Sequence, residues 1–126
     1  MSLSLFLRIK SVISVFFGLC LIFLSPVMMP LYGITLDAAG LGMAWWYGTC
    51  LMGIGLICWY SSSEARSPLL NGILMSLFIC DTTGGVVSLV VQFSGSANAL
   101  GWSNVVLWFA LAAGLGYFRF IETGDA

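Results

Sequence analysis

Histidine is missing from this sequence of 126 residues, and charged residues of either sign are scarce. Without an imidazole, the chain lacks the usual protein ligand of haem, zinc and non-haem iron and the commonest general base. Only 7% of the residues are charged, against about 25% in soluble domains, and the few Lys and Arg form no cluster. Nucleic-acid binding through phosphate neutralisation therefore has no support, and we predict a non-enzymatic protein without a His-ligated metal.

Cysteine pairs with metal-binding or redox spacing are also missing. The four cysteines form no CxxC motif and each lies in an apolar run; they are Cys20, Cys50, Cys58 and Cys80. Disulfide frameworks belong to small secreted domains rather than to thiols embedded in a bilayer. We therefore expect all four cysteines to behave as small buried hydrophobic side chains.

Hydrophobic residues are abundant and make up 60% of the chain. They form four apolar segments, at about residues 11–29, 38–60, 68–93 and 99–120. Each segment is close to the roughly 20 residues that cross a bilayer as a helix. The connections are short, so neighbouring helices should run antiparallel. We predict that residues 1–126 form a single all-α domain, an antiparallel four-helix transmembrane bundle.

The polar connections carry helix-start signals. Asp37 is placed to cap the second helix, and Asn98 the fourth. Ser67 is followed by Pro68, which is the expected order of a cap and a first helical residue.

The positive charges indicate an orientation. Arg8 and Lys10 precede the first segment, Arg66 lies between the second and third, and Arg119 ends the fourth. The opposite side has one acidic residue, Asp37, and no Lys or Arg. The positive-inside rule then places both termini in the cytoplasm, with the chain as a multi-pass protein of a bacterial inner (plasma) membrane. Residues 25–30 offer no small-x-small cleavage site, so we expect the first helix to be retained.

One acidic residue, Asp81, lies in the middle of the third apolar segment. A charge at bilayer depth is costly, and such residues usually face the protein interior or a wet cavity. Further polar side chains share its arc of the helix, so the predicted site consists of Asp81, Thr82, Asn71, Gln92 and Ser88. Two interpretations stay open. The arc either holds helices together through hydrogen bonds, or it forms a pocket for a proton, a cation or the polar head of a ligand.

Small residues are frequent inside the apolar segments. Gly84 and Gly85 follow Asp81 and indicate either a break in the helix or the close approach of another helix. Small pairs at four-residue spacing, such as Ser14 with Gly18 and Ala44 with Gly48, favour tight helix packing.

Three short sequences carry a resemblance to a family. These are LYGI at residues 31–34, GIGL at residues 53–56 and NALGW at residues 98–102. Together they resemble small bacterial four-helix integral membrane proteins of uncharacterised function that are grouped with the DoxX-like families. The resemblance implies the four-helix membrane architecture over nearly the whole chain. Some DoxX relatives are linked to sulfur-compound oxidation with quinone as acceptor, but no residue here carries that activity.

Taken together, these features predict a non-enzymatic accessory or scaffold subunit that packs in a larger membrane complex. Its expected partners are membrane lipid and other membrane-protein subunits, or a second copy of itself. The sequence identifies no cofactor, and binding of a lipid, a quinone or a carotenoid remains open. Two alternatives are a small transporter or ion-conducting oligomer that uses Asp81, and a quinone-linked redox protein of DoxX type.

Overall fold

A computed structural model describes residues 1–122, which are helical apart from short connections. Residues 123–126, the C-terminal end of the predicted domain, lie outside the described residues. In chain order the helices are α1 (Leu3–Phe23), α2 (Ser25–Leu31), α3 (Ala38–Ser61), α4 (Pro68–Phe93) and α5 (Gly101–Gly116). A π-helical turn, Tyr117–Ile121, continues directly from α5 and is called the π segment below.

Four stretches are long and apolar enough to cross a membrane: Leu3–Phe23, Ala38–Ser61, Pro68–Phe93 and Gly101–Ile121. The last of these joins α5 to the π segment. The prediction of an all-α chain with four helices of membrane length is confirmed for the described residues. This is the pattern of a multi-pass membrane protein.

The first helix begins earlier than the apolar pattern of the sequence predicts. It starts at Leu3 rather than near residue 11, so Arg8 and Lys10 lie inside it rather than before it. The hydroxyl of Ser2 accepts a hydrogen bond from the Leu5 amide at 3.3 Å and caps the helix. Arg and Lys are good helix formers, so a change from charged to apolar side chains does not mark a helix start.

The same segment also ends differently. The backbone leaves helical geometry at Leu24, and residues 25–31 form the separate short helix α2. Pro26 occupies the first turn of α2. Backbone N–H groups in a first turn have no intrahelical acceptor, so the missing N–H of a proline removes no hydrogen bond there. The predicted span of residues 11–29 is thus divided between α1 and α2.

The third and fourth helices begin where their caps predicted. The Asp37 carboxylate accepts from the Gly40 amide at 2.7 Å, and the Ser67 hydroxyl accepts from the Leu70 amide at 3.1 Å. Asn98 does not occupy the N-cap of α5, which is Leu100. Its side-chain oxygen accepts instead from the Leu100 amide at 3.0 Å, within the preceding turn.

The chain divides into two compact units, Met1–Ser63 and Glu64–Ala126. In the first unit, α1 packs against α3 with almost no space between the backbones. A Cβ atom on Gly48 would lie 2.7 Å from the carbonyl oxygen of Gly18, and one on Gly55 would lie 3.0 Å from that of Ser11. Since residues later in α1 meet residues earlier in α3, the two helices of this pair run in opposite directions.

In the second unit, α4 packs against α5 and the π segment. The glycines in the middle of α4 lie against aromatic rings, because a Cβ on Gly84 would be 2.8 Å from the Trp108 ring and one on Gly85 would be 2.8 Å from Phe109. Phe93 and Trp102 make an edge-to-face contact at 5.6 Å between ring centroids at one end of the pair. α4 itself is continuous from Pro68 to Phe93, so Gly84 and Gly85 serve close packing rather than a break.

Candidate functional site

Asp81 lies on the buried face of α4. Its side chain is 0% exposed. The buried residues of this helix follow one another at three- or four-residue steps and share one face; they are Leu70, Leu74, Leu77, Asp81 and Gly85. A carboxyl group thus stands in an otherwise apolar stripe, a placement that is costly in lipid and needs a polar partner.

Thr82, the next residue, directs its hydroxyl to its own helix. The Thr82 Oγ1 donates to the Phe78 carbonyl at 2.8 Å, and Thr83 does the same to Ile79 at 2.8 Å. This back-bonding satisfies a hydroxyl without water or a partner helix.

The remaining predicted site residues lie at other levels of α4. Asn71 and Gln92 are 21 positions apart, which corresponds to about 31 Å along a helix axis. Ser88 lies seven positions beyond Asp81, about 10 Å further along. The structure therefore brings only Asp81 and Thr82 together, and no small ligand could contact both Asn71 and Gln92.

Each of these distant residues has its own partner in the second unit. The Asn71 Oδ1 accepts from Arg66 at 2.9 Å, and the Ser88 hydroxyl accepts from the Asn104 Nδ2 at 3.1 Å. Gln92 donates through Nε2 to the Asn98 carbonyl at 3.0 Å. Its Oε1 is buried and accepts no hydrogen bond from the described residues. Three polar side chains of the arc thus bond to residues outside α4.

Lys10 is a buried ionisable residue, although the apolar pattern of the sequence predicts it outside the first helix. It lies seven residues into α1, on the same face as Leu7 and Ser14, and is only 1% exposed. Asp81 is therefore not the only ionisable residue within a candidate span. The signal was the Ser2 cap, which starts the helix early enough to carry Lys10 inside it.

Arg66 was expected to indicate orientation, and the structure adds a second role. Its guanidinium donates to three acceptors: the Asn71 side chain at 2.9 Å and the carbonyl oxygens of Phe118 and Glu122, each at 2.6 Å. The π segment ends with carbonyls that its own helix does not pair. Arg66 supplies those carbonyls with donors and so ties the start of α4 to the end of the π segment.

The cysteines take part in no candidate metal site among residues 1–122. Among residues 1–122, no group of three or more His, Cys, Asp or Glu could hold a metal ion. Cys58 is buried and Cys20 and Cys80 are partly buried, but Cys50 is exposed on the outside of α3. The expectation that all four are buried is wrong for Cys50, because its position in α3 falls on the face turned away from α1.

Comparison with known protein families, curated proteins and solved structures finds no match to this chain. The resemblance to DoxX-like proteins therefore stays a prediction.

Proposed function

We propose that this chain is a non-enzymatic accessory subunit of a larger complex in a bacterial inner membrane. Its four long helices form an antiparallel transmembrane bundle with both termini in the cytoplasm. The chain contributes one outward helix face on which a transmembrane helix of a partner subunit docks. The observation that carries the proposal is the composition of that face.

The polar groups of α4 support a packing role. Asn71, Ser88 and Gln92 each bond to another part of the second unit rather than converging on a cavity. Asn104 of α5 donates to Ser88 and so joins two helices, as polar side chains commonly do in membrane bundles, whereas Asn71 and Gln92 bond to residues in the adjoining connections. The bond between Asn104 and Ser88 favours the interpretation of the arc as interhelical contact.

The first half of the α4 face opposite Asp81 carries three small residues and one isoleucine, whereas the exposed Val86 and Val90 continue the same face toward its end. This first half consists of Gly72, Ser76, Ile79 and Thr83 at steps of four, three and four, and is called the α4 outer face below. All four residues are exposed, and a Cβ on Gly72 would meet no atom within 4 Å. The Ser76 and Thr83 hydroxyls donate to carbonyls of their own helix at 3.0 and 2.8 Å, so they require no water.

The outward face of α1 differs. Its exposed residues are bulky throughout and include Val12 at 61%, Phe16 at 60% and Phe23 at 74%. Large apolar side chains make good contact with lipid, whereas small ones allow a second helix backbone to approach closely. The contrast between these two faces favours α4 as the docking element.

Site-specific photo-crosslinking in native membranes tests this function. A crosslinkable residue at Ile79, which is 53% exposed, should form an adduct with one discrete partner chain. The same residue at Phe16, which is 60% exposed, should label lipid only. Ser76→Leu should abolish the adduct, and Val12→Leu should leave it intact. Equal protein adducts from both positions, or an adduct only at twice the mass of this chain, would contradict the accessory role.

A second candidate, a carrier or oligomeric channel for protons or cations, is favoured by the burial of Asp81 within a candidate span. Ion flux in vesicles that contain the purified chain alone separates the two functions, because an accessory subunit should conduct nothing. The quinone-linked redox function, and quinone or carotenoid as a bound cofactor, stay predictions that no contact in the described residues favours.

A further inference from the structure

We propose that Arg8, Trp59 and Ser62 form a binding site for the phosphate group of an anionic phospholipid. Arg8 belongs to α1, Trp59 lies in the last turn of α3 and Ser62 is the C-cap of that helix, so the site is contained in the first unit. The inference rests on the membrane location in the proposed function. It is independent of helix docking on the α4 outer face.

The guanidinium of Arg8 is held from two sides. Its Nε donates to the Ser62 hydroxyl at 3.4 Å, and its central carbon lies 5.9 Å from the centroid of the Trp59 ring. The Ser62 hydroxyl donates in turn to the Trp59 carbonyl at 2.6 Å, which fixes the oxygen that Arg8 contacts. A cation over a tryptophan face is attracted by the ring, so both contacts orient the same group.

These contacts use the Nε and one face of the guanidinium and leave its two terminal nitrogens open. Among residues 1–122, the two terminal nitrogens of Arg8 donate to no acceptor and form no ion pair. The Arg8 side chain is exposed. Arginine presents its terminal N–H groups as a planar fork that matches two oxygens of a phosphate.

Arg66 provides the comparison within the same chain. Its two terminal nitrogens are occupied by the Asn71 side chain and by the carbonyls of Phe118 and Glu122. That arginine is therefore used by the protein itself. Arg8 is oriented through its Nε and the Trp59 ring but keeps its fork available for a ligand.

The position of the site selects a lipid headgroup as the ligand. Arg8 lies five residues after the start of α1, about 7.5 Å along the helix axis, a depth from which an arginine side chain reaches the membrane surface. Trp59 and Tyr60 are 49% and 72% exposed at the same end of the unit, and exposed Trp and Tyr are typical of the headgroup level. A phosphodiester is the anion that a bilayer presents there.

The charge of the site favours a lipid with net negative charge. The three residues of the site supply one positive group and no carboxylate that could pair with a choline or ethanolamine amine. An anionic headgroup such as phosphatidylglycerol leaves no cation unpaired. We therefore expect phosphatidylglycerol to bind more tightly than phosphatidylcholine.

Native mass spectrometry of the detergent-purified full chain tests the site. The protein is titrated with phosphatidylglycerol, with phosphatidylcholine and with inorganic phosphate, and the retained adduct is measured. Arg8→Gln should weaken phosphatidylglycerol retention about tenfold, which corresponds to about 1.4 kcal/mol. Arg8→Lys keeps the charge but loses the fork, so its phosphatidylglycerol retention should lie between that of the parent chain and that of Arg8→Gln.

Arg119→Gln is the matched control, since it removes the same charge from a different guanidinium. It should retain phosphatidylglycerol as the parent chain does. Circular dichroism on each variant verifies helix content, and Ser62→Ala, which removes only the orienting hydroxyl, supplies a milder variant if Arg8→Gln does not fold.

Three results would overturn the assignment. The first is equal loss with Arg8→Gln and Arg119→Gln, which would indicate general electrostatic attraction. The second is equal retention of phosphatidylcholine, and the third is displacement of the lipid by inorganic phosphate at similar concentration. All three leave the crosslinking test of the accessory function unaffected, so the two proposals fail separately.

Discussion

A single guanidinium, that of Arg66, serves acceptors from two distant parts of the second unit. Phe118 and Glu122 are 52 and 56 residues away in sequence, and both contacts are to backbone carbonyl oxygens. A π-helical turn at a chain end leaves such carbonyls without partners in its own helix. The Arg66 side chain therefore supplies donors to carbonyl oxygens at the end of the π segment.

Removal of this guanidinium should loosen the π segment before it affects the rest of the unit. Hydrogen bonds from a charged donor contribute about 1.5–3 kcal/mol each when made in a protected environment, and at least one here is partly exposed. We expect Arg66→Gln to raise amide hydrogen exchange over Tyr117–Ile121 by about tenfold. Exchange measured by mass spectrometry in detergent micelles checks this.

Glu64→Gln is the control for Arg66→Gln, because Glu64 is exposed two positions earlier. It should leave exchange in the π segment unchanged. If Arg66→Gln exchanges like the parent chain, the three hydrogen bonds do not stabilise this segment.

Roles that depend on near neighbours in sequence were predictable, and roles that depend on distant partners were not. Asp37 and Ser67 cap helices because their acceptors lie three residues before the amides they bind. Arg66 finds acceptors more than fifty residues away, and no local pattern encodes that pairing. Lys10 was misplaced because a charge next to an apolar run looks like a membrane flank.

At the scale of elements, α1 and α3 meet through glycine rather than through interlocking large side chains. Gly18 and Gly48 face each other so closely that a Cβ on either would lie 2.7 Å from the carbonyl oxygen of the other. A backbone oxygen cannot rotate away as a side chain can. The pairing of these helices therefore depends on the absence of two methyl groups.

Gly48→Ala should destabilise the first unit by about 1–3 kcal/mol, the usual cost of overpacking a tight contact. Gly53→Ala is the matched control in the same helix, since a Cβ there would meet nothing within 4 Å. It should be neutral or slightly stabilising, because alanine favours a helix over glycine. Reversible unfolding of both variants in mixed detergent micelles measures the difference. Equal stability of the two variants would show that the helices are further apart than the structure places them.

The close approach of these helices was partly predictable. The four-residue spacing of Ala44 and Gly48 indicated a packing face, and both residues are buried in α3. The spacing could not identify the partner element, because several helices carry similar pairs. The bounds of α3 and α4 were predicted to within one residue, since polar caps precede both, whereas α1 has its cap hidden at Ser2 before a charged stretch.

For the whole molecule, the positions of the positive charges predict a membrane topology. In the first unit Arg8 bonds to Ser62, just after α3, and in the second unit Arg66 bonds to Glu122, just after the π segment. In each unit, the arginine therefore connects the start of the first long helix to the end of the last one, and these two ends lie together. If every long helix crosses the bilayer once, residues 62–67 join two ends on one side, and from the positive-inside rule we predict that this side is cytoplasmic.

Labelling of single introduced cysteines tests this topology. Thr35 and Ser96 are exposed in the two connections that contain no Lys or Arg, and Ser63 is exposed just after α3. Thr35→Cys and Ser96→Cys should react with a membrane-impermeant maleimide on intact cells, whereas Ser63→Cys should react only after the membrane is permeabilised. The parent chain is the control, because its own cysteines lie within the long helices and should stay unlabelled in both conditions.

Labelling of Ser63→Cys on intact cells would show that the orientation is the reverse of the predicted one. Labelling of Thr35→Cys and Ser96→Cys on opposite sides would contradict four crossings, since a helix that fails to span shifts one of these connections to the other face.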